Sequence, residues 1–188
     1  MAPLRAASTL VVVLAASPAG AVEPTVRYYE VTGTTFAELL ASMRENGPFV
    51  ERTGRRHYGI TETSFRQSFR RQPALGRCEL LEATVELDLT MVLPDWSDRN
   101  GATPATERRW ERLEADIVAH EERHADIARR YLAKLRAEVD RPVTASTCAA
   151  LDAGLRARSQ VIIDRHREAQ LEFDRSVNSP KLRNPRAG

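Results

Sequence analysis

The sequence predicts an α+β domain: a small antiparallel or mixed sheet with one backing helix, followed by two long C-terminal helices. Three patterns carry this. Val85, Leu87, Leu89, Met91 and Leu93 alternate with Thr84, Glu86, Asp88 and Thr90, as in a strand covered on one face. Trp110, Leu113, Ile117, His120, His124, Ile127, Tyr131 and Leu135 recur at spacings of three and four, as on one face of a helix. Leu151, Leu155, Ile162, Ala169 and Phe173, with His166 on the same stripe, give a second helix of that kind.

Taken in order, the chain of 188 residues opens on a short basic start, Met1 to Arg5, and a small apolar run from Ala6 to Ala16. Ala19-Gly20-Ala21 then supplies the small residues of a signal-peptidase site, so residues 1–21 read as a secretory signal peptide cut after Ala21. The apolar run, roughly eleven residues, is too short for a bilayer span of about twenty. Thr25 to Thr32 is a first strand, broken by Gly33. Thr35 and Glu38 form a capping box that opens a helix with Phe36, Leu39, Leu40 and Met43 on one face, ended by Gly47-Pro48. Arg55 to Arg70 reads as a second strand with a bulge near Thr63-Ser64, where its apolar phase changes, and with His57 at its exposed start.

Cys78 to Leu93 is the clearest strand. It would either take up an extended peptide as an added strand or be paired on both sides within the domain. Thr103-Pro104 opens the first long helix, which runs to about Asp140. Thr147 caps the last one, from about Cys148 to Ser176. Residues 22–177 thus make a single domain. The tail 178–188, with two prolines and three basic residues, reads as disordered.

The formal net charge is +2, and Arg5 leaves with the signal, so the mature chain is almost neutral. That balance, with arginines scattered among carboxylates, gives no nucleic-acid surface. No segment after signal cleavage is long and apolar enough to span a membrane. Export places the chain in the periplasm or outside the cell. There its only two cysteines, Cys78 and Cys148, are expected to form a disulfide.

His120-Glu121-Glu122-Arg123-His124 spells H-E-x-x-H inside the first long helix. Residues four apart share a helix face, so the two imidazoles lie one turn apart, as two ligands of one Zn²⁺. Glu121 then stands beside the metal as general base. A histidine on an apolar stripe is otherwise a hydrogen-bonded core residue. A catalytic zinc needs a third protein ligand. The extended pattern ending in a third histidine is absent, because Ile127 and Arg130 hold those positions. The last helix offers His166 and, at the border of its apolar face, Asp174. His166 stands equally well as a core histidine.

Several further residues point the same way. They are Tyr28-Tyr29-Glu30-Val31-Thr32-Gly33-Thr34, Glu38-Leu39, Gly47-Pro48, Cys78, Leu93-Pro94-Asp95-Trp96, Trp110, the H-E-x-x-H itself and Phe173-Asp174. In this combination the chain resembles a bacterial family described as predicted secreted zinc-dependent proteases, over nearly all of its mature length. Phe173-Asp174 is similar to a Tyr-Asp pair of that family. The family's pair is commonly followed by a threonine and a His-Gly. Here Arg175-Ser176-Val177-Asn178-Ser179-Pro180 contains no histidine, so His166 or Asp174 would have to serve instead.

The resemblance and the motif together imply a minimal zincin-like domain acting on a peptide or protein substrate. Zn²⁺ would be held by His120, His124 and a group from the last helix, with Glu121 moving the proton of the attacking water. The rival is a non-catalytic envelope protein with a structural or vestigial metal site. The glutamate directly after His120 favours hydrolysis, because a purely structural pair has no use for it.

Overall fold

In the computed structural model residues 22–177 are described. The signal-peptide reading of residues 1–21 and the disordered-tail reading of 178–188 fall outside that range. The architecture is α+β, in the order β1 (Thr25–Glu30), α1 (Phe36–Asn46), β2 (Phe49–Val50), β3 (Arg55–Arg56), β4 (Ile60–Ala74), β5 (Arg77–Asp95), α2 (Pro104–Val139), β6 (Thr144–Ala145) and α3 (Cys148–Val177). The main sheet is mixed. β1 runs parallel to β5, while β4 and β6 are antiparallel to it.

β5 is central. Near its C-terminal end, β1 takes one side at Thr90–Asp95 and β4 the other. It cannot receive a peptide there. The outer strands of the sheet are β1 and β4. The alternation read in β5 decides its orientation, since Val85, Leu87, Leu89, Met91 and Leu93 are all buried against α2 and its neighbours. The polar face carries charge pairs across the strands, such as Arg66 with Asp88 at 2.7 Å and Arg70 with Glu82 at 3.0 Å.

The second strand starts later than expected and has no bulge at Thr63-Ser64. Its register with β5 is unbroken from Ile60 to Arg70 and shifts only between Arg70 and Arg71. Thr61, Thr63, Phe65, Gln67 and Phe69 face inward in one phase. The two threonines interrupt the apolar pattern without breaking the pleat, and the first of them meets a polar group of α2. Thr61 hydrogen-bonds Glu121.

The caps fall where the sequence puts them. The Thr35 hydroxyl accepts from Glu38 N–H, and the Glu38 carboxylate accepts from Thr35 N–H. Thr103 and Thr147 accept likewise at the starts of α2 and α3. α1 packs on α2 and β3, closing the core beside Trp96 and Trp110 through Leu39 and Met43. Cys78 and Cys148 are joined, tying the start of α3 to the start of β5 across 70 residues. On the chain-entropy account such a closure stabilises by roughly 4 kcal/mol. Among the described residues no helix is long and apolar enough to cross a membrane.

Candidate metal centre

α2 and α3 run antiparallel. Tyr131 meets His166, His124 meets Gln170, and His120 meets Phe173 and Asp174. This pairing splits α2 into two working faces. Ile117, Glu121, Ala125, Ala128, Leu132 and Leu135 are buried toward the sheet. His120, His124 and Tyr131 lie around the helix from them, against α3. The two histidines therefore sit at the interhelical seam, while Trp110, Ile117 and Leu135 of the same stripe lie in the core. Side-chain exposure is 33% for His120 and 13% for His124, whereas Glu121 as a residue is 4% exposed.

At that seam three donor atoms converge. His124 Nε2 lies 3.1 Å from His120 Nε2 and 3.1 Å from Asp174 Oδ1, and His120 Nε2 lies 3.6 Å from Asp174 Oδ1. His120, His124 and Asp174 form a group able to hold a metal ion. A tetrahedral Zn²⁺ with bonds of about 2.0–2.1 Å separates its ligand atoms by roughly 3.3 Å, so the triangle fits that ion. Phe173 lies against both imidazoles, with ring centroids at 4.9 and 5.0 Å. The Phe173-Asp174 pair thus supplies a wall for the rings and a carboxylate between them.

Gln170 orients the centre. Its side-chain carbonyl accepts from His124 Nδ1–H at 2.6 Å, which leaves the His124 Nε2 lone pair facing the group. Its amide N–H groups donate to the His124 carbonyl at 3.1 Å and to His166 Nε2 at 2.9 Å. Asp174 would be pushed up by burial, but its bonds to the two imidazoles outweigh this and hold it below the usual carboxylate range. For His124 burial pulls down, and the bonds to Asp174 and Gln170 more than offset it, so the net direction is up. Converging lone pairs and charge of this kind could share a cation, whether proton or metal.

His166 does not reach the group. It lies two turns before Asp174, about 12 Å along α3. It is buried between Phe65 and Tyr131, with ring centroids at 5.1 and 5.5 Å, and accepts from Gln170. Burial lowers its pKa to about 4. Of the two candidates on α3 the structure brings Asp174 and not His166 to the imidazoles, and His166 takes its other role, that of a hydrogen-bonded core residue. Its bonding partner is the Gln170 amide.

Glu121 does not join the donor group. Its carboxylate accepts from the Thr61 hydroxyl at 2.8 Å, and the same hydroxyl lies 3.0 Å from the Glu121 carbonyl. Burial raises its pKa, against opposition from the Thr61 bond and the imidazoles. Gly59 makes this contact between β4 and α2 close. A Cβ there would stand 2.8 Å from Ile117 Cγ2 and 3.1 Å from both Glu121 Cγ and Oε1. A cleft of about 620 Å³ runs past the group, between the free edge of β4 at Gly59–Thr63 and the α3 residues Arg167, Gln170 and Leu171.

Gln170, Thr61 and Gly59 are absent from the sequence reading. One signal for Gln170 was there: His166, Gln170 and Asp174 stand four apart on one stripe. Thr61 and Gly59 left none, because they act across the fold.

The family model described as bacterial protein of unknown function, DUF922, matches residues 26–179. The chain belongs to this family. The match runs from β1 to the end of α3 and includes all three members of the donor group. The family's description names no activity, metal or substrate. No curated protein and no solved structure matches the chain.

Proposed function

We propose that this DUF922 protein is an exported zinc-dependent peptidase. The observation that carries the reading is the triangle of His120 Nε2, His124 Nε2 and Asp174 Oδ1, at separations suited to a zinc ion, with a buried carboxylate one residue after the first ligand. Among the described residues three donors meet, as in catalytic zinc sites, where closed structural sites use four. The disulfide suits an oxidising compartment.

His120, His124 and Asp174 would hold the ion, which when bound supplies a Lewis acid that acidifies water and polarises a carbonyl. Glu121, whose pKa burial raises, would take the proton of the attacking water and pass it to the departing amine. Thr61 holds the Glu121 carboxylate in place from β4. Gln170 fixes the tautomer of His124. The free edge of β4 along the cleft offers backbone groups to an extended peptide.

The test is made on the purified mature chain. It should hold about one zinc per molecule by elemental analysis and cleave a mixture of unstructured peptides, with cleavage stopped by a chelator and restored by zinc. One tightly held zinc with no cleavage of any peptide would instead support the structural-metal reading. The orienting role of Gln170 gives a second expectation. Gln170→Leu should lower zinc affinity about 10- to 100-fold in a chelator competition, with the helical circular dichroism unchanged.

A further inference from the structure

The cleft has a second wall that the metal centre does not use. The segment 48–57 folds into a small hairpin, β2 and β3, at its mouth. Phe49 pairs with Arg56 and Val50 with Arg55, across a 3₁₀ turn at Glu51–Thr53. Several bonds pin it. His57 N–H donates to the Pro48 carbonyl at 3.0 Å, and the Arg56 guanidinium donates to the Gly47 carbonyl at 2.7 Å. Thr53 donates to the Val50 carbonyl at 3.1 Å, so its oxygen accepts from His57 Nε2 at 2.8 Å. Gly54, at φ +64°, closes the turn with its N–H on the Val50 and Glu51 carbonyls. A hairpin held this way presents its side chains in fixed positions.

Three of those side chains are arginines, Arg52, Arg55 and Arg56, against one acid, Glu51. Arg52 borders the main cleft and also a contiguous cleft of about 520 Å³ on the other side of the donor group, which Arg55 borders as well. Neither guanidinium has an ion pair within 4.0 Å among the described residues. The arginines opposite them on α3 do: Arg167 lies 2.7 Å from Asp164, and Arg175 lies 3.7 Å from Glu172. Of the acidic residues lining the two clefts outside the centre, Glu62 is paired with Arg27 at 2.6 Å, and Asp116 borders the second cleft from α2. The rim of the centre therefore carries two guanidinium groups, Arg52 and Arg55, that no carboxylate among the described residues pairs. Their influence reaches inward: His57 is held below the ordinary histidine value by burial and then by the charges of Arg55 and Arg52.

Resting on the peptidase reading, we propose that this hairpin is the specificity element, and that Arg52 and Arg55 select peptides with Asp or Glu within a few residues of the bond to be cut. Guanidinium is suited to the task, because its planar fork binds a carboxylate with two parallel hydrogen bonds. Exposed Phe49 on the same hairpin adds an apolar contact for the neighbouring backbone or side chain.

The experiment uses the zinc-loaded mature chain and three fluorescent peptides identical except for Asp/Glu, Asn/Gln or Lys flanking the same central sequence. Wild type should cleave the acidic peptide at least about tenfold faster in kcat/KM than its amide twin, and raised salt should erode the difference. The double variant Arg52→Glu/Arg55→Glu should lose or invert the preference, with zinc content unchanged and the amide twin cleaved within about twofold of wild type. A control, Arg66→Glu on the opposite face of the sheet, should keep it. Equal treatment of acidic and amide peptides by wild type, or a preference that survives the double variant, overturns the proposal.

Binding to Glu121→Gln, read by fluorescence anisotropy, separates this proposal from the reading beneath it. If no peptide is cleaved but Glu121→Gln binds the acidic peptide about tenfold more tightly than its twin, and the Arg52→Glu/Arg55→Glu changes abolish the difference, the peptidase reading fails and the acidic-peptide site stands. Neither cleavage nor preferential binding overturns the site as well.

Discussion

Glu121→Gln is expected to keep the zinc and lose hydrolysis, by about 10²- to 10⁴-fold in kcat, or roughly 3–5 kcal/mol of barrier. The amide has nearly the size of the carboxylate and can still accept the Thr61 hydrogen bond. The contact between β4 and α2 should therefore survive, and with it the fold. What disappears is a group able to take a proton. Zinc content by elemental analysis and cleavage rate on the same sample separate the two roles. A Glu121→Gln protein that cleaves as fast as wild type would remove Glu121 from the mechanism.

Thr61→Val extends the test to pH. The Thr61 bond lowers the Glu121 pKa against the larger, raising effect of burial. Removing it disfavours the ionised form further, so the base becomes available only at higher pH. The acid limb of the kcat/KM profile should move upward in Thr61→Val, in the direction opposite to any change that exposes Glu121 to water.

Asp174→Ala should weaken zinc binding more than about 100-fold, beyond what loss of an orienting partner costs, whereas His166→Asn should keep zinc within the range of such outer partners. The contrast is sharp because both residues lie on α3 and both were candidates for the same role. Asp174 Oδ1 is 3.1 Å from His124 Nε2, while His166 reaches the centre only through Gln170. Chelator competition on the two variants measures it directly. Tight zinc retention by Asp174→Ala, with loss in His166→Asn, would reverse the assignment and require α3 to move by about two turns against α2.

The sequence by itself determined the class of fold, the helix caps at Thr35, Thr103 and Thr147, the inward face of β5 and the partnership of Cys78 with Cys148. It also set His120 and His124 one turn apart with Glu121 between them. These follow from local rules: a period of two or three and a half residues, a hydroxyl reaching an N–H three residues on, a motif confined to one helical turn. Only the tertiary structure decided the rest. It made Asp174 and not His166 the third donor, because the crossing of α3 over α2 fixes which turn faces the imidazoles. It turned Glu121 toward β4 and the histidines toward α3, a division of one helix face that depends on where two different neighbours stand. It brought in Thr61, Gly59, Gln170 and the hairpin of Arg52 and Arg55 from distant parts of the chain. Periodicity gives each element its apolar side. The angle and register at which two elements meet are settled by how their surfaces fit, and no pattern within either one records that.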